Sequence, residues 1–142
     1  MGRVFFNTRE NCHSITGNYQ MIASDSGKTF FNKVAAGATV TLPAIADAQE
    51  GWNCKIIIAT NVTSSNFTIT EAAASDTDKI ILQTTENDVS AGAAPAGTST
   101  GCTNVLLASG ADVTGDSFDI ITDGTNWFIK ANVNADAAVT VS

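Results

Sequence analysis

From Ser26 onward the apolar positions fall in short β-branched or aromatic runs, each cut off by Gly, Asn, Asp or Ser. The pattern predicts strands over 28–34, 39–42, 55–60, 67–70, 79–84, 104–108, 117–122, 126–131 and 137–141. Thr39-Val40-Thr41-Leu42 and Phe67-Thr68-Ile69-Thr70 alternate cleanly, so each is expected to lay one face on a core and the other in water. Ile56-Ile57-Ile58 does not alternate, which predicts a strand covered on both faces, within a sandwich or by a neighbouring subunit. Pro43 closes a strand because it has no N–H for the ladder. The sharpest local signal runs from Asp119-Ile120-Ile121-Thr122 through Asp123-Gly124-Thr125 into Asn126-Trp127-Phe128-Ile129. An Asp-Gly between two apolar runs fits the positive φ of a tight hairpin turn. Strands recurring at roughly 8–12 residues, with turn signals between them, indicate a sandwich or barrel. The fold class expected is all-β: one β-sandwich or barrel-like domain of short antiparallel strands.

The first 24 residues differ. They hold both Arg, the only His, the only Tyr and a mixed polar stretch over 7–18, with apolar islands at Val4-Phe5-Phe6 and Tyr19-Gln20-Met21-Ile22-Ala23. Residues 1–24 therefore read as an extended N-terminal arm that docks on its own domain or on a neighbour, ahead of a β-domain over 25–142. Arg3, Val4, Phe5, Phe6, Arg9 and Tyr19 are its candidate binding residues. Residues 86–103 form a long stretch of small residues, and loops beyond roughly 12–15 residues are usually functional or disordered. Helix is expected only as a turn at 44–49, with 71–75 as a second candidate. Gly-Ala-x-Val-Thr occurs twice, at 37–41 and 110–114, as turn chemistry rather than duplication.

Composition narrows the function classes. The 142 residues carry a formal charge of −7, and 15% are charged, against roughly 25% in an average globular domain. No apolar run approaches the roughly 18 residues of a membrane span, and Met1–Asn7 is too short an apolar stretch for a signal peptide. An acidic chain with seven scattered Lys and Arg is a poor ligand for nucleic acid or anionic lipid, so neither is expected as a partner. Cys12, Cys54 and Cys102 are odd in number and include no Cys-x-x-Cys. Reduced, partly buried thiols are expected, with a single disulfide or one intermolecular bond as alternatives. Asn61-Val62-Thr63 and Asn66-Phe67-Thr68 match the glycosylation pattern but read as polar strand-edge residues.

Catalytic chemistry finds little to work with. His13 is the only histidine, which removes multi-histidine metal sites and leaves any triad one base. Cys12-His13 would point to opposite faces of a strand. Gly115-Asp116-Ser117-Phe118 resembles the Gly-Asp-Ser-Leu block of the SGNH hydrolases. That block belongs early in an α/β chain with a His near the C-terminus, whereas here it is late and no His follows. Asp76, Asp78, Asp112, Asp116, Asp119 and Asp123 could offer carboxylates to a cation, yet the EF-hand spacing is missing and turn capping explains most of them. No phosphate loop or dinucleotide fingerprint is present. No catalytic residue, metal or cofactor is expected.

One ordered set of segments is familiar. Asp25-Ser26-Gly27-Lys28-Thr29-Phe30-Phe31, Ala38-Thr39-Val40-Thr41-Leu42-Pro43, Gly51-Trp52-Asn53-Cys54-Lys55-Ile56-Ile57-Ile58, Phe67-Thr68-Ile69-Thr70 and Thr122-Asp123-Gly124-Thr125-Asn126-Trp127-Phe128-Ile129 resemble small β-rich virion proteins of tailed bacteriophages. The resemblance is to capsid decoration (cement) proteins above all, and also to tail-fibre and spike modules. It implies a homotrimer on the outer capsid surface that clamps the major capsid protein. The alternative is a receptor- or glycan-binding tail-fibre module, with recognition in the 90–103 loop. Trp127 is expected in the core. Trp52 is expected either in the core or, with Ile57, at a subunit interface.

Overall fold

Over residues 12–86 the chain of the computed structural model passes strand by strand back and forth between two sheets, and that habit sets its topology. Residues 11–72, 79–87, 97–111 and 114–142 are described. The strands are β1 (Cys12–Ile15), β2 (Tyr19–Gln20), β3 (Thr29–Asn32), β4 (Thr39–Thr41), β5 (Asn53–Ile58) and β6 (Phe67–Thr70), then β7 (Ile80–Glu86), β8 (Gly97–Cys102), β9 (Asn104–Leu107), β10 (Ser117–Thr122), β11 (Trp127–Val133) and β12 (Val139–Val141). One sheet has the order β1-β3-β5-β10-β11-β7-β8, the other β12-β9-β6-β4-β2.

The domain is all-β and sandwich-like, as the strand pattern predicts, but its sheets are mixed rather than antiparallel. β1, β3 and β5 run parallel in the first sheet, β2, β4 and β6 run parallel in the second, and β7 runs parallel to β11. A parallel neighbour requires a crossover. Over residues 12–58 the crossover is a strand of the opposite sheet, so β1 reaches β3 through β2 and β3 reaches β5 through β4. That work needs no helix. Among the described residues, a 3-10 turn covers Ala23–Asp25, and the helical turn α1 (Ile45–Ala48) falls where the sequence expects it. Glu71 and Ala72 of the second candidate are not helical, and 73–75 lie outside the described residues.

Of the expected arm over 1–24, residues 11–24 are described, and they dock on the chain's own domain. β1 pairs with β3 and β2 with β4, and Ile15 and Met21 are buried in the common core. The polar residues that hid these strands from the sequence reading sit on exposed strand faces at the sheet edges. The expected loop over 86–103 contains β8, whose Gly97, Thr98 and Cys102 pair with β7 across a register shift.

Where side chains alternate, the core follows. Val40, Leu42, Phe67 and Ile69 point inward from the smaller sheet, and Phe30, Ile56, Ile58, Phe118 and Trp127 from the larger. Phe67 and Phe118 meet across the sheets with ring centroids 6.2 Å apart. Each such side chain contributes about 1.5–3 kcal/mol over its exposed state. The predicted hairpin forms with Thr122 opposite Trp127. Its turn is held by Asp123, whose carboxylate accepts the N–H groups of Thr125 and Asn126 at 2.8 and 2.7 Å, while Gly124 takes the positive φ.

Candidate functional site

The two sheets differ in what they show to the outside. On the smaller sheet, Thr39 and Thr41 of β4 stand beside Thr68 and Thr70 of β6, a polar array. On the larger sheet the outward positions of β5, β10, β11 and β7 form three rows across the strands. The first is Asn53, Ile121, Phe128 and Ile81; the second is Lys55, Asp119, Lys130 and Gln83; the third is Ile57, Ser117, Asn132 and Thr85. Ile121 is 49% exposed and Phe128 37%, two of the four large apolar side chains most open to solvent among the described residues. Apolar residues at both parities, Ile120-Ile121 and Trp127-Phe128-Ile129, produce this arrangement: one parity fills the core and the other remains outside.

Charge on this face is paired across strands. Lys55 bonds Asp119 at 3.1 Å, and Asp119 faces Lys130 on its other side. Two depressions flank the ridge made by Phe128 and Lys130. One, of about 490 Å³, is floored by Asn53, Lys55, Asp119 and Ile121; the other, of about 580 Å³, by Ile81, Gln83, Gly97 and Thr98. Both are open and shallow. The arrangement suits contact with another surface rather than enclosure of a reactant.

At the end of the sheet, Asp25 is 1% exposed and ties three elements together. Its carboxylate accepts from the Tyr19 hydroxyl at 3.1 Å, the Lys28 ammonium at 2.8 Å and the Ile22 N–H at 3.0 Å. Burial alone would raise its pKa, but the Lys28 and Ile22 hydrogen bonds, the Lys28 charge and the Tyr19 bond outweigh it and hold the carboxyl below the usual range. Burial and the neighbouring Asp25 push the Tyr19 hydroxyl up.

No family model, curated protein or solved structure matches this chain. The reading of the site therefore rests on where the structure puts each candidate residue. Arg3, Val4, Phe5, Phe6 and Arg9 lie outside the described residues, as do Asp76, Asp78, Asp112 and residues 90–96 of the expected recognition loop. Tyr19 is half-buried and spoken for by Asp25. Trp52 is a core residue rather than an interface residue: it is 2% exposed and donates its Nε1–H to the carbonyls of Ile22 and Ala23 at 3.3 and 3.0 Å. Trp127 is fully buried. Ile57 does reach the outer face, half-covered between Phe31 and Ser117, so only one face of its strand is closed.

The residues weighed for chemistry are dispersed. His13 lies tilted against Tyr19 and edge-on to Phe30, with ring centroids 4.8 and 5.6 Å away. Ser117 is held in the ladder between Ile57 and Asn132, and the Asp116 carboxylate accepts the Asn134 N–H at 2.9 Å. The block that resembles the hydrolase motif is thus a strand entry. Among the described residues no three His, Cys, Asp or Glu side chains gather as metal donors. The outer face with Ile121, Phe128, Asp119 and Lys130 carries no sequence motif. Its signal was the doubled apolar parity on either side of the Asp-Gly turn.

Proposed function

We propose that the chain is a structural virion protein that binds the outside of a tailed-phage capsid shell as a decoration protein, associates with further copies of itself, and does no catalysis. The observation that carries this reading is the outer face of the larger sheet. It is broad, nearly neutral and apolar along one row, which are the properties of a protein contact. The ordered segments that resemble phage decoration proteins give that contact its setting. The sole histidine lies exposed against Tyr19 and Phe30, away from Ser117 and the carboxylates of the larger sheet's outer face, which supports a binding role over an enzymatic one. A charge of −7 suits the outer shell better than a DNA-facing lumen. Residues 1–10, with Arg3, Val4, Phe5, Phe6 and Arg9, are the segment assigned to grip the major capsid protein.

The test is co-sedimentation with empty shells of the major capsid protein, followed by density maps of shells with and without the protein. Saturable binding with new density on the outer surface is the expected result. Binding to a glycan array with no affinity for shells would replace this reading with that of a tail-fibre module.

A further inference from the structure

We infer that the outer face of the larger sheet docks on the same face of a second copy, about a two-fold axis parallel to the strands and lying between β10 and β11. The inference rests on the reading of this face as a contact surface and names its occupant.

The argument is one of register. Such an axis lays β10 of one copy over β11 of the other, and β5 over β7. In the apolar row, Ile121 then meets Phe128 of the second copy, twice over. In the charged row, Asp119 meets Lys130 of the second copy and Lys55 meets Gln83. In the third row, Ser117 meets Asn132 and Ile57 meets Thr85. These pairings follow from the cross-strand registers of the single chain, because the dyad converts each β10–β11 neighbour into a contact between copies.

Charge selects this axis over its neighbours. Moved onto β10, the axis would stack Asp119 on Asp119 and Lys55 on Lys130. Moved onto β11, it would stack Lys130 on Lys130. Between the two strands no like charges meet, and the most exposed apolar pair on the face is covered. Like charges brought together across an interface oppose association, so charge decides between these axes.

Shape agrees with charge. The depression of about 490 Å³ over β10 lies where Phe128 of the second copy would seat, and the depression of about 580 Å³ over β7 lies opposite Lys55 of the second copy. Two sheets packed in this way sit about 10 Å apart with their strands within about 30° of parallel. A contact of this kind is self-complementary and closes at two copies, where the phage resemblance implies three.

The experiment measures the mass of the full chain in solution, without shells, by sedimentation velocity and native mass spectrometry over a dilution series. A dimer is expected. Phe128→Asp, Asp119→Lys and Lys130→Asp, each verified as folded by circular dichroism, should weaken it at least about tenfold. Asp119→Lys mixed with Lys130→Asp should form a heterodimer, and the double variant should recover the homodimer. A wild-type monomer or trimer overturns the inference, as does a folded mixed pair that stays apart. A monomer that loses shell binding on Phe128→Asp overturns the dimer and leaves the shell reading standing. A dimer with no affinity for shells does the reverse.

Discussion

The indole rings of Trp52 and Trp127 meet edge to face, at 85° with centroids 5.3 Å apart, and they are the only two tryptophans in the chain. Their polar ends differ. Trp52 donates to the carbonyls of Ile22 and Ala23, whereas Trp127 Nε1 has no acceptor among the described residues. Conversion to Phe removes a similar ring volume from each, so the hydrogen bonds decide the difference. Trp52→Phe is expected to cost about 1 kcal/mol more than Trp127→Phe, and Trp127→Ala about 3–5 kcal/mol. Urea denaturation of the three variants measures this, with the remaining tryptophan as the fluorescent probe for each. Equal costs for the two Phe variants would mean that the Trp52 bonds add nothing.

Stability should fall at both ends of the pH scale through one cluster. Asp25 has a lowered pKa in the folded chain, so its contribution is present above the ordinary carboxylate range and is lost as pH drops through that range to the folded value. Tyr19 has a raised pKa, so its contribution is intact below its ordinary value of about 10 and is lost above it. Asp25→Asn should cost on the order of 2 kcal/mol at neutral pH and flatten both limbs. Tyr19→Phe should flatten only the alkaline one. Denaturation midpoints across a pH series test this, and an unchanged acid limb in Asp25→Asn would assign that limb to other carboxylates.

Thiol reactivity should divide one against two. Cys12 is exposed on an edge strand, whereas Cys54 and Cys102 are buried, and none of the three is in a disulfide. Burial, with Asp25 and Asp119 adding to it, pushes the Cys54 thiol far above its usual range and leaves little thiolate to react. Iodoacetamide should label one cysteine per native chain and three after unfolding, counted by intact mass. Labelling of Cys54 at a rate near that of Cys12 would mean that the core beneath β5 opens readily.

Two glycines with the same backbone angle should respond differently to Ala. Gly37 and Gly51 both have φ +87°, but a Cβ on Gly37 would lie 2.5 Å from the Ser65 carbonyl oxygen, while one on Gly51 meets nothing within 4 Å. Gly51→Ala carries only the left-handed strain, about 1 kcal/mol. Gly37→Ala adds a backbone collision and should cost about 3 kcal/mol. Comparison of their melting curves separates strain from crowding.

Much of this architecture is legible residue by residue, and the omissions have physical causes. The alternation in Thr39–Leu42 and Phe67–Thr70 and the Asp123-Gly124 turn report local geometry, and each led to the right strand and face. Parallel pairing is not local. Nothing in Thr29–Asn32 says that its neighbours are Cys12–Ile15 and Asn53–Ile58, because the strands that carry the chain between them belong to the other sheet. β8 was hidden by composition: Gly97–Cys102 has a loop-like sequence, and only its pairing with β7 makes it a strand. On the outer face of the larger sheet the apolar parity was visible, but Lys55, Asp119, Lys130 and Gln83 are spread over 76 positions of sequence, from 55 to 130, and meet only through the register.

Truncation should place the limit of the folded unit well inside the first 24 residues. Removal of residues 1–10 takes away no described strand and no described core side chain. Removal of 1–24 deletes β1 and β2, and with them the Ile15 carbonyl that accepts the Lys33 N–H, the Met21 N–H that bonds Thr41, and two buried apolar side chains. Ile15 and Met21 together contribute about 3–6 kcal/mol of burial, a large part of the 5–15 kcal/mol typical of a whole domain. Trp52 would also lose both of its carbonyl acceptors, and Phe30 its cover from His13 and Tyr19. The chain starting at residue 11 should melt cooperatively within a few degrees of the full protein, while the chain starting at residue 25 should be unfolded or aggregated. Calorimetry of the two decides it: a cooperative transition in the shorter chain would make 1–24 a separable arm after all, and β1 and β2 merely docked on the domain.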